Sequence, residues 1–260
     1  MRVPRIAVPE PTSGDHSYNQ RCWPQFAHAI QSCGGIAVPI PLTESQASVA
    51  RTISGCCAIL LPGSPSDVDP QKYGQRAVPE TAAADPDREA VDELLLQDAF
   101  NLRKPILGVC YGLQTLNVWR NGTLNQHLGG EVHEHPDENS KVYASHAVGL
   151  KAGSRLAGAL GLSSEEQAAG IVVNSSHHQS VEVPGDGLEK VGVAVPDGVV
   201  EALELADNSQ FVVGVQWHPE RTFGTDAPSR ALFRAFVAAA AAWKLKPIQD
   251  SVVANGSCKE

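Results

Sequence analysis

The sequence predicts an α/β protein: a mostly parallel central sheet flanked by helices, with an additional antiparallel β part. Three observations carry this. Short apolar runs such as Cys57–Leu61 and Pro105–Val109 alternate with longer stretches whose apolar residues recur at helical spacing. Gly and Pro punctuate the changes between them, as at Gly34-Gly35 and Pro62-Gly63. After about residue 140 the apolar runs become strand-like and closely spaced.

In order along the chain, Arg5–Val8 reads as a first strand and Trp23–Cys33 as a helix ended by Gly34-Gly35. Ile36–Ile40 is a second strand, and Thr43 or Ser45 caps a short helix to Ile53. Cys57–Leu61 is a buried strand, followed by a loop of Pro, Gly and Asp from Pro62 to about Pro86. A loop that long in a compact domain is usually functional. Asp87–Arg103 is helical, with Val91, Leu94, Leu95 and Leu102 in register, and its start at Asp85–Glu89 is acidic, which suits the helix dipole. Pro105–Val109 is a strand and Tyr111–Arg120 a helix. Strands follow at Val142–Leu150, Ile171–Val173, Leu188–Val195, Val200–Leu205 and Phe211–Gln216, then a helix at Ala227–Lys244. Residues 1–246 read as a single domain and 247–260 as a loose tail.

The 260 residues are 42% apolar and 19% charged, an ordinary globular composition. A net charge of −9 with scattered Lys and Arg argues against nucleic acid or an anionic membrane as partner. No apolar run is long enough to span a bilayer, and the N-terminus has no signal-peptide core, so a cytoplasmic location is expected. The cysteines at 22, 33, 56, 57, 110 and 258 fit neither a disulfide ladder nor a Cys-x-x-Cys metal pair, so free thiols are expected. Neighbouring Cys56 and Cys57 are expected to be packing residues.

One cysteine differs from the rest. In Pro105-Ile-Leu-Gly108-Val-Cys110-Tyr-Gly112-Leu-Gln114 an apolar strand runs into Gly-x-Cys-x-Gly and directly into a helix. Such a sharp turn holds a nucleophile in a strained conformation, and the glycines permit close backbone approach. The helix N-terminus favours the thiolate, and the Tyr111 N–H faces the place where an oxyanion develops. Gln216-Trp-His218-Pro-Glu220 closes another strand. Read as extended chain, it puts His218 and Glu220 on one face, where Glu220 fixes the imidazole and His218 serves Cys110. Cys110, His218 and Glu220 are therefore the expected catalytic residues.

Gly108-Val-Cys110-Tyr-Gly112 with Trp217-His218-Pro219-Glu220 resembles the class I glutamine amidotransferases, which implies a flavodoxin-like sheet. Four further stretches resemble the stand-alone γ-glutamyl hydrolase branch, in particular the γ-glutamyl-γ-aminobutyrate hydrolases of putrescine degradation. They are Leu60–Asp67 through Tyr73-Gly74, Asp85–Glu89, Val173–Gln179 and Pro196–Ala202. The resemblance implies attack of Cys110 on a γ-glutamyl carbonyl, release of an amine, and hydrolysis of a thioester. It also implies oxyanion donors from Gly63, Ser64 and Tyr111. Many relatives have Gly-Gly-Pro where this chain has Gly63-Ser64-Pro65, a change that a backbone donor tolerates. Gln114, His177 and His178 are expected to border the glutamyl group.

His133-x-His135, with Glu131, Glu134 and Asp137 nearby, invites a metal reading. The stretch is polar and turn-rich and the chemistry needs no ion, so neither metal nor cofactor is expected. The expected partner is a small γ-glutamyl substrate; a homo-oligomer is left open. The alternative function is a glutaminase subunit that delivers ammonia to a separate synthetase. No synthetase domain is attached, and the loop from Pro62 to Pro86 offers room for Tyr73, Asp67, Asp69, Lys72 and Arg76 to meet a substrate larger than glutamine. Both points favour the hydrolase. A catalytically idle binding module is the third reading, and the intact Cys, His and Glu argue against it.

Overall fold

The computed structural model describes residues 3–129, 133, 144–207 and 209–245. The first half contains β1 (Arg5–Pro9), α1 (His16–Ser32), β2 (Ile36–Ile40), α2 (Gln46–Ser54), β3 (Ala58–Leu61), α3 (Pro86–Leu102), β4 (Ile106–Val109), α4 (Tyr111–Trp119) and β5 (Thr123–Asn125). After it come β6 (Ala144–Leu150), α5 (Arg155–Ala159), α6 (Ser164–Ala169), β7 (Ile171–Ser175) and β8 (Ser180–Val183). The chain continues through β9 (Leu188–Ala194), β10 (Val200–Leu205), β11 (Val212–Val215), α7 (Pro219–Thr222) and α8 (Ala227–Ala242).

The strands form one mixed sheet in the order β2-β1-β3-β4-β11-β10-β9-β6-β7, with β8 also paired to β10 and β5 to β8. From β2 to β11 the pairing is parallel, and from β11 to β7 it is antiparallel. The α/β class and its antiparallel addition are thus present. Central strands β3 (Ala-Ile-Leu-Leu) and β4 (Ile-Leu-Gly-Val) are buried throughout, as continuous apolar runs covered on both faces must be. Side chains alternate between two cores. Ile6, Val8, Leu107, Val109, Val213 and Val215 pack with Phe26 and Ile30 of α1 and Phe233 and Phe236 of α8. Ala7, Ile59, Ile106 and Val212 pack with Val49 of α2, Leu95 of α3 and Leu113 of α4. Each fully buried aliphatic side chain contributes about 1.5–3 kcal/mol, so the sheet centre is a rigid platform.

Several boundaries differ from the expected ones. Helix α1 begins at His16, seven residues before the expected Trp23, because the Asp15 side chain caps it by accepting from the Tyr18 N–H. Pro24 resembles a helix-start signal but lies inside the helix. Short β5 and β8 and helices α5 and α6 fall in stretches that read as loop, too brief for periodicity to register. The long loop contains a 3-10 turn at Pro70–Tyr73. Cys22, Cys33, Cys56, Cys57 and Cys110 are free thiols. No helix among the described residues is long and apolar enough to cross a membrane. The expected tail at 247–260 and residues Glu131, Glu134, His135 and Asp137 lie outside the described residues.

Candidate active site

The parallel neighbours β3, β4 and β11 bring three segments together at their carboxyl ends: Gly63-Ser64-Pro65, Cys110 and His218. Open parallel sheets characteristically place sites there. Cys110 follows β4 directly and caps α4, with φ 52° and ψ −108°. A non-glycine residue at such φ is strained and persists only when its surroundings fix it. Here its N–H donates to the Val215 carbonyl (2.8 Å), and its carbonyl accepts from Leu113 (3.0 Å) and Gln114 (3.2 Å). The residues two before and two after Cys110 must be glycine. A Cβ on Gly112 would stand 2.1 Å from the Leu61 carbonyl oxygen, and one on Gly108 would stand 2.7 Å from the Gly112 carbonyl oxygen.

His218 and Glu220 meet, but not as residues of an extended strand. Pro219 starts helix α7 and His218 is its cap; proline's fixed φ suits the first helical position. The turn swings Glu220 back, so that its Oε1 lies 2.7 Å from His218 Nδ1. Asn174 holds the His218 backbone, donating to its carbonyl and accepting from its N–H, both at 2.8 Å. A Cβ on Gly63 would lie 2.9 Å from His218 Cε1 and 3.6 Å from Cys110 Cβ. Gly63, Cys110 and His218 therefore enclose one small space.

Burial sets the resting charges. It pushes the Cys110 thiol up to about 12, although Arg221 and the Tyr111 N–H act the other way. The sequence favours a helix-end thiolate; in the structure burial outweighs the helix terminus and leaves a resting thiol. His218 is lowered below its ordinary 6.5 by burial and then by Arg221, against the pull of Glu220. Both groups are neutral at pH 7.

Beneath the site lies Arg88, fully buried. Its Nε donates to both Asp92 oxygens (2.9 and 3.0 Å), its Nη1 to the Pro11 carbonyl (2.7 Å) and its Nη2 to the Pro62 carbonyl (2.7 Å). Its guanidinium stands 4.8 Å from the centre of the Tyr111 ring. Arg88 thus links Tyr111 to Pro62, the residue before Gly63, and so touches both expected oxyanion segments. In the sequence Asp85–Glu89 reads only as a helix start; the missed signal is the Arg88/Asp92 spacing on a face that otherwise packs inward.

Gln114 is buried, its amide donating to the Gln179 carbonyl (3.2 Å) and to Gln216 Oε1 (3.3 Å). His178 is partly exposed, with Nε2 3.1 Å from Asp67 Oδ1. Asp67 also accepts from the Ala82 N–H (2.7 Å) and the Gln179 amide (2.9 Å), which ties the long loop to the β7–β8 turn. Lys72 pairs with Glu89 at 3.1 Å and Asp69 caps the 3-10 turn, so these charges brace the loop itself. His177 turns inward to Glu201 at 3.4 Å. Burial opposes ionisation of Glu201, but His146 beside it acts the other way, and the carboxyl is held at about 2. His133 joins this buried group, its Nδ1 3.5 Å from Glu201 Oε1.

A sheet of this topology, with a cysteine elbow and a His–Glu pair on adjacent parallel strands, defines the class I glutamine amidotransferase-like fold. The crystal structure of a "putative GMP synthase" component from Thermoplasma acidophilum has the same fold: TM-score 0.62 at 16% identity, covering 93% of this chain and 96% of the other. The chain belongs to the Peptidase C26 family, whose model matches residues 6–220. It is 34% identical over 223 residues to the γ-glutamyl-γ-aminobutyrate hydrolase of Escherichia coli O157:H7, covering 83% of this chain and 84% of the relative. It is 36% identical over 220 residues to a "putative glutamine amidotransferase" of Mycobacterium tuberculosis, covering 84% and 67% respectively. The protein is a cysteine-type hydrolase with γ-glutamyl hydrolase or glutamine amidotransferase-like activity.

Proposed function

We propose that the chain hydrolyses a small γ-glutamyl amide, γ-glutamyl-γ-aminobutyrate or a close analogue, through a thioester on Cys110. The observation that carries this reading is the meeting of Gly63, Cys110 and His218 around one space, with His218 Nδ1 held 2.7 Å from Glu220. With Nδ1 committed to Glu220, Nε2 is the nitrogen that takes the thiol proton. The sulfur attacks the γ-carbonyl carbon, and backbone N–H groups of the Gly63-Ser64 turn and of Tyr111 receive the oxyanion. The C–N bond breaks as His218 returns the proton to the departing amine. Water then gives a proton to His218 and attacks the thioester; the C–S bond breaks as His218 passes that proton to the sulfur, freeing glutamate and the Cys110 thiol. Gln114, His177 and His178 border the glutamyl end in this reading.

The relative named γ-glutamyl-γ-aminobutyrate hydrolase, matched over most of both chains, supports an amine larger than ammonia. In this reading the loop that Asp67 ties to the β7–β8 turn borders the leaving group. The decisive experiment compares kcat/KM of the isolated protein on γ-glutamyl-γ-aminobutyrate and on glutamine at one pH. The dipeptide analogue is expected to win. Glutaminase activity that appears only on addition of a synthetase would favour the ammonia-delivering reading instead.

A further inference from the structure

Behind the candidate triad, three imidazoles converge on one carboxylate oxygen. Glu201 Oε1 lies 3.1 Å from His146 Nε2, 3.4 Å from His177 Nε2 and 3.5 Å from His133 Nδ1. Glu201 is on β10, His177 follows β7 and His133 stands between β5 and β6, so the chain folds three separate segments onto this point. All four side chains are buried. The group adjoins the catalytic centre closely enough for Glu201 to act on Cys110 and His177 on His218 electrostatically.

The outer nitrogens reveal what the inner ones carry. His177 Nδ1 is 2.9 Å from the Gln179 carbonyl, which accepts only, so Nδ1 bears the hydrogen. His133 Nε2 is 2.8 Å from Asp197 Oδ2, which also accepts, so Nε2 bears the hydrogen. In each neutral ring the inward nitrogen then presents a lone pair to the Glu201 carboxylate. Among the described residues, His133 Nδ1, His177 Nε2 and both Glu201 oxygens lack a well-aligned hydrogen-bond partner. Two lone pairs facing a buried anion repel it. Protonating both rings would exchange that for two cations whose ring centres are 4.8 Å apart. One dication satisfies all three groups at once and balances the charges of Glu201 and Asp197.

We propose that His133 Nδ1, His177 Nε2 and Glu201 form a site for one divalent transition-metal ion of the zinc class. The spacing around the carboxylate agrees: a tetrahedral ion with bonds of about 2.0–2.1 Å separates its ligands by about 3.3–3.4 Å. The carboxylate-to-imidazole distances are 3.4 and 3.5 Å, and the three ligand atoms lie within 4.8 Å of one another. Each imidazole donates its other N–H to an oxygen acceptor, the arrangement that orients metal-binding histidines. His146 Nε2 lies 3.1 Å from the same oxygen. Two nitrogens and a carboxylate favour zinc or cobalt over calcium or magnesium.

The test reads metal directly. Purified full-length protein is stripped with a chelator, then titrated with cobalt(II) while its visible spectrum and melting temperature are followed. The expected result is saturation at about one cobalt per chain with intense tetrahedral d–d bands and a higher Tm. Zinc should displace the cobalt and bleach the bands. His133→Ala and Glu201→Gln should each abolish the bands; if either fails to fold, the titration of the natural chain still decides. No saturable binding, an octahedral spectrum, or bands unchanged in both folded variants would overturn the proposal. None of these readouts depends on the substrate.

Discussion

Asn174 clasps the backbone of His218 from both sides, its Nδ2 donating to the carbonyl and its Oδ1 accepting from the N–H, each at 2.8 Å. The imidazole is therefore positioned from two directions, by Asn174 at the main chain and by Glu220 at Nδ1. Asn174→Ala leaves two buried backbone groups unpaired, at about 1–3 kcal/mol each. Kinetics and thermal melting should show kcat reduced more than about tenfold, since misplaced catalytic groups lose rate steeply, with little change in KM and a lower Tm. Unchanged kcat would mean that other contacts hold the imidazole.

Gly63 tests how tightly the candidate site is closed. A methyl group there would stand 2.9 Å from His218 Cε1, so Gly63→Ala must displace the imidazole or the oxyanion turn. The expected outcome is a loss of about 100-fold in kcat with an essentially unchanged melting temperature. Activity within a factor of about two of the natural chain would remove Gly63 from the oxyanion assignment.

Burial makes the pH dependence specific. His218 is depressed below 6.5, so the neutral base persists until pH falls below that value. The profile of kcat/KM should be flat above pH 6.5 and decline only on the acid side, at an apparent pKa under 6.5. The same depression means that the unfolded chain binds this proton more readily, so the stability held above 6.5 is lost as pH falls below it. Cys110, with its thiol at about 12, should be alkylated by iodoacetamide at a rate still rising at about pH 9. A plateau near neutrality would reveal a resting thiolate and contradict the neutral pair.

Arg88 separates positioning from stability. Arg88→Met strands the buried Asp92 carboxylate, a loss of about 3–5 kcal/mol visible in Tm. Adding Asp92→Leu should recover much of the Tm. It should not recover kcat, because the Pro62 carbonyl and the Tyr111 ring have still lost their common support. Recovery of both in the double variant would reduce Arg88 to a packing residue.

Much of this arrangement was legible in the residues. The strand-to-helix turn at Cys110 announces itself because few other contexts require glycine on both sides of a cysteine, and Val109 and Tyr111 continue the two periodicities without a gap. The His218–Glu220 contact was legible for a reason that proved wrong. Alternation along a strand suggested a shared face, whereas Pro219 begins a helix and the turn supplies the contact. Asn174, Arg88 and the grouping of His133 with Glu201 were not legible. Each depends on contacts across 44, 26 or 68 positions of sequence, respectively, set by the order of strands in the sheet. His177, expected to border the glutamyl group, also faces Glu201, with its ring held by the Gln179 carbonyl.

The central claim is that Cys110 is the nucleophile, and one comparison tests it most directly. The natural chain and Cys110→Ala, both shown to be folded by circular dichroism, are assayed for release of glutamate from γ-glutamyl-γ-aminobutyrate. The account predicts that the variant loses at least about 10⁴-fold in kcat, as removal of a covalent nucleophile does, with the melting temperature retained. Residual turnover within about tenfold of the natural chain would contradict it and direct the search to another residue.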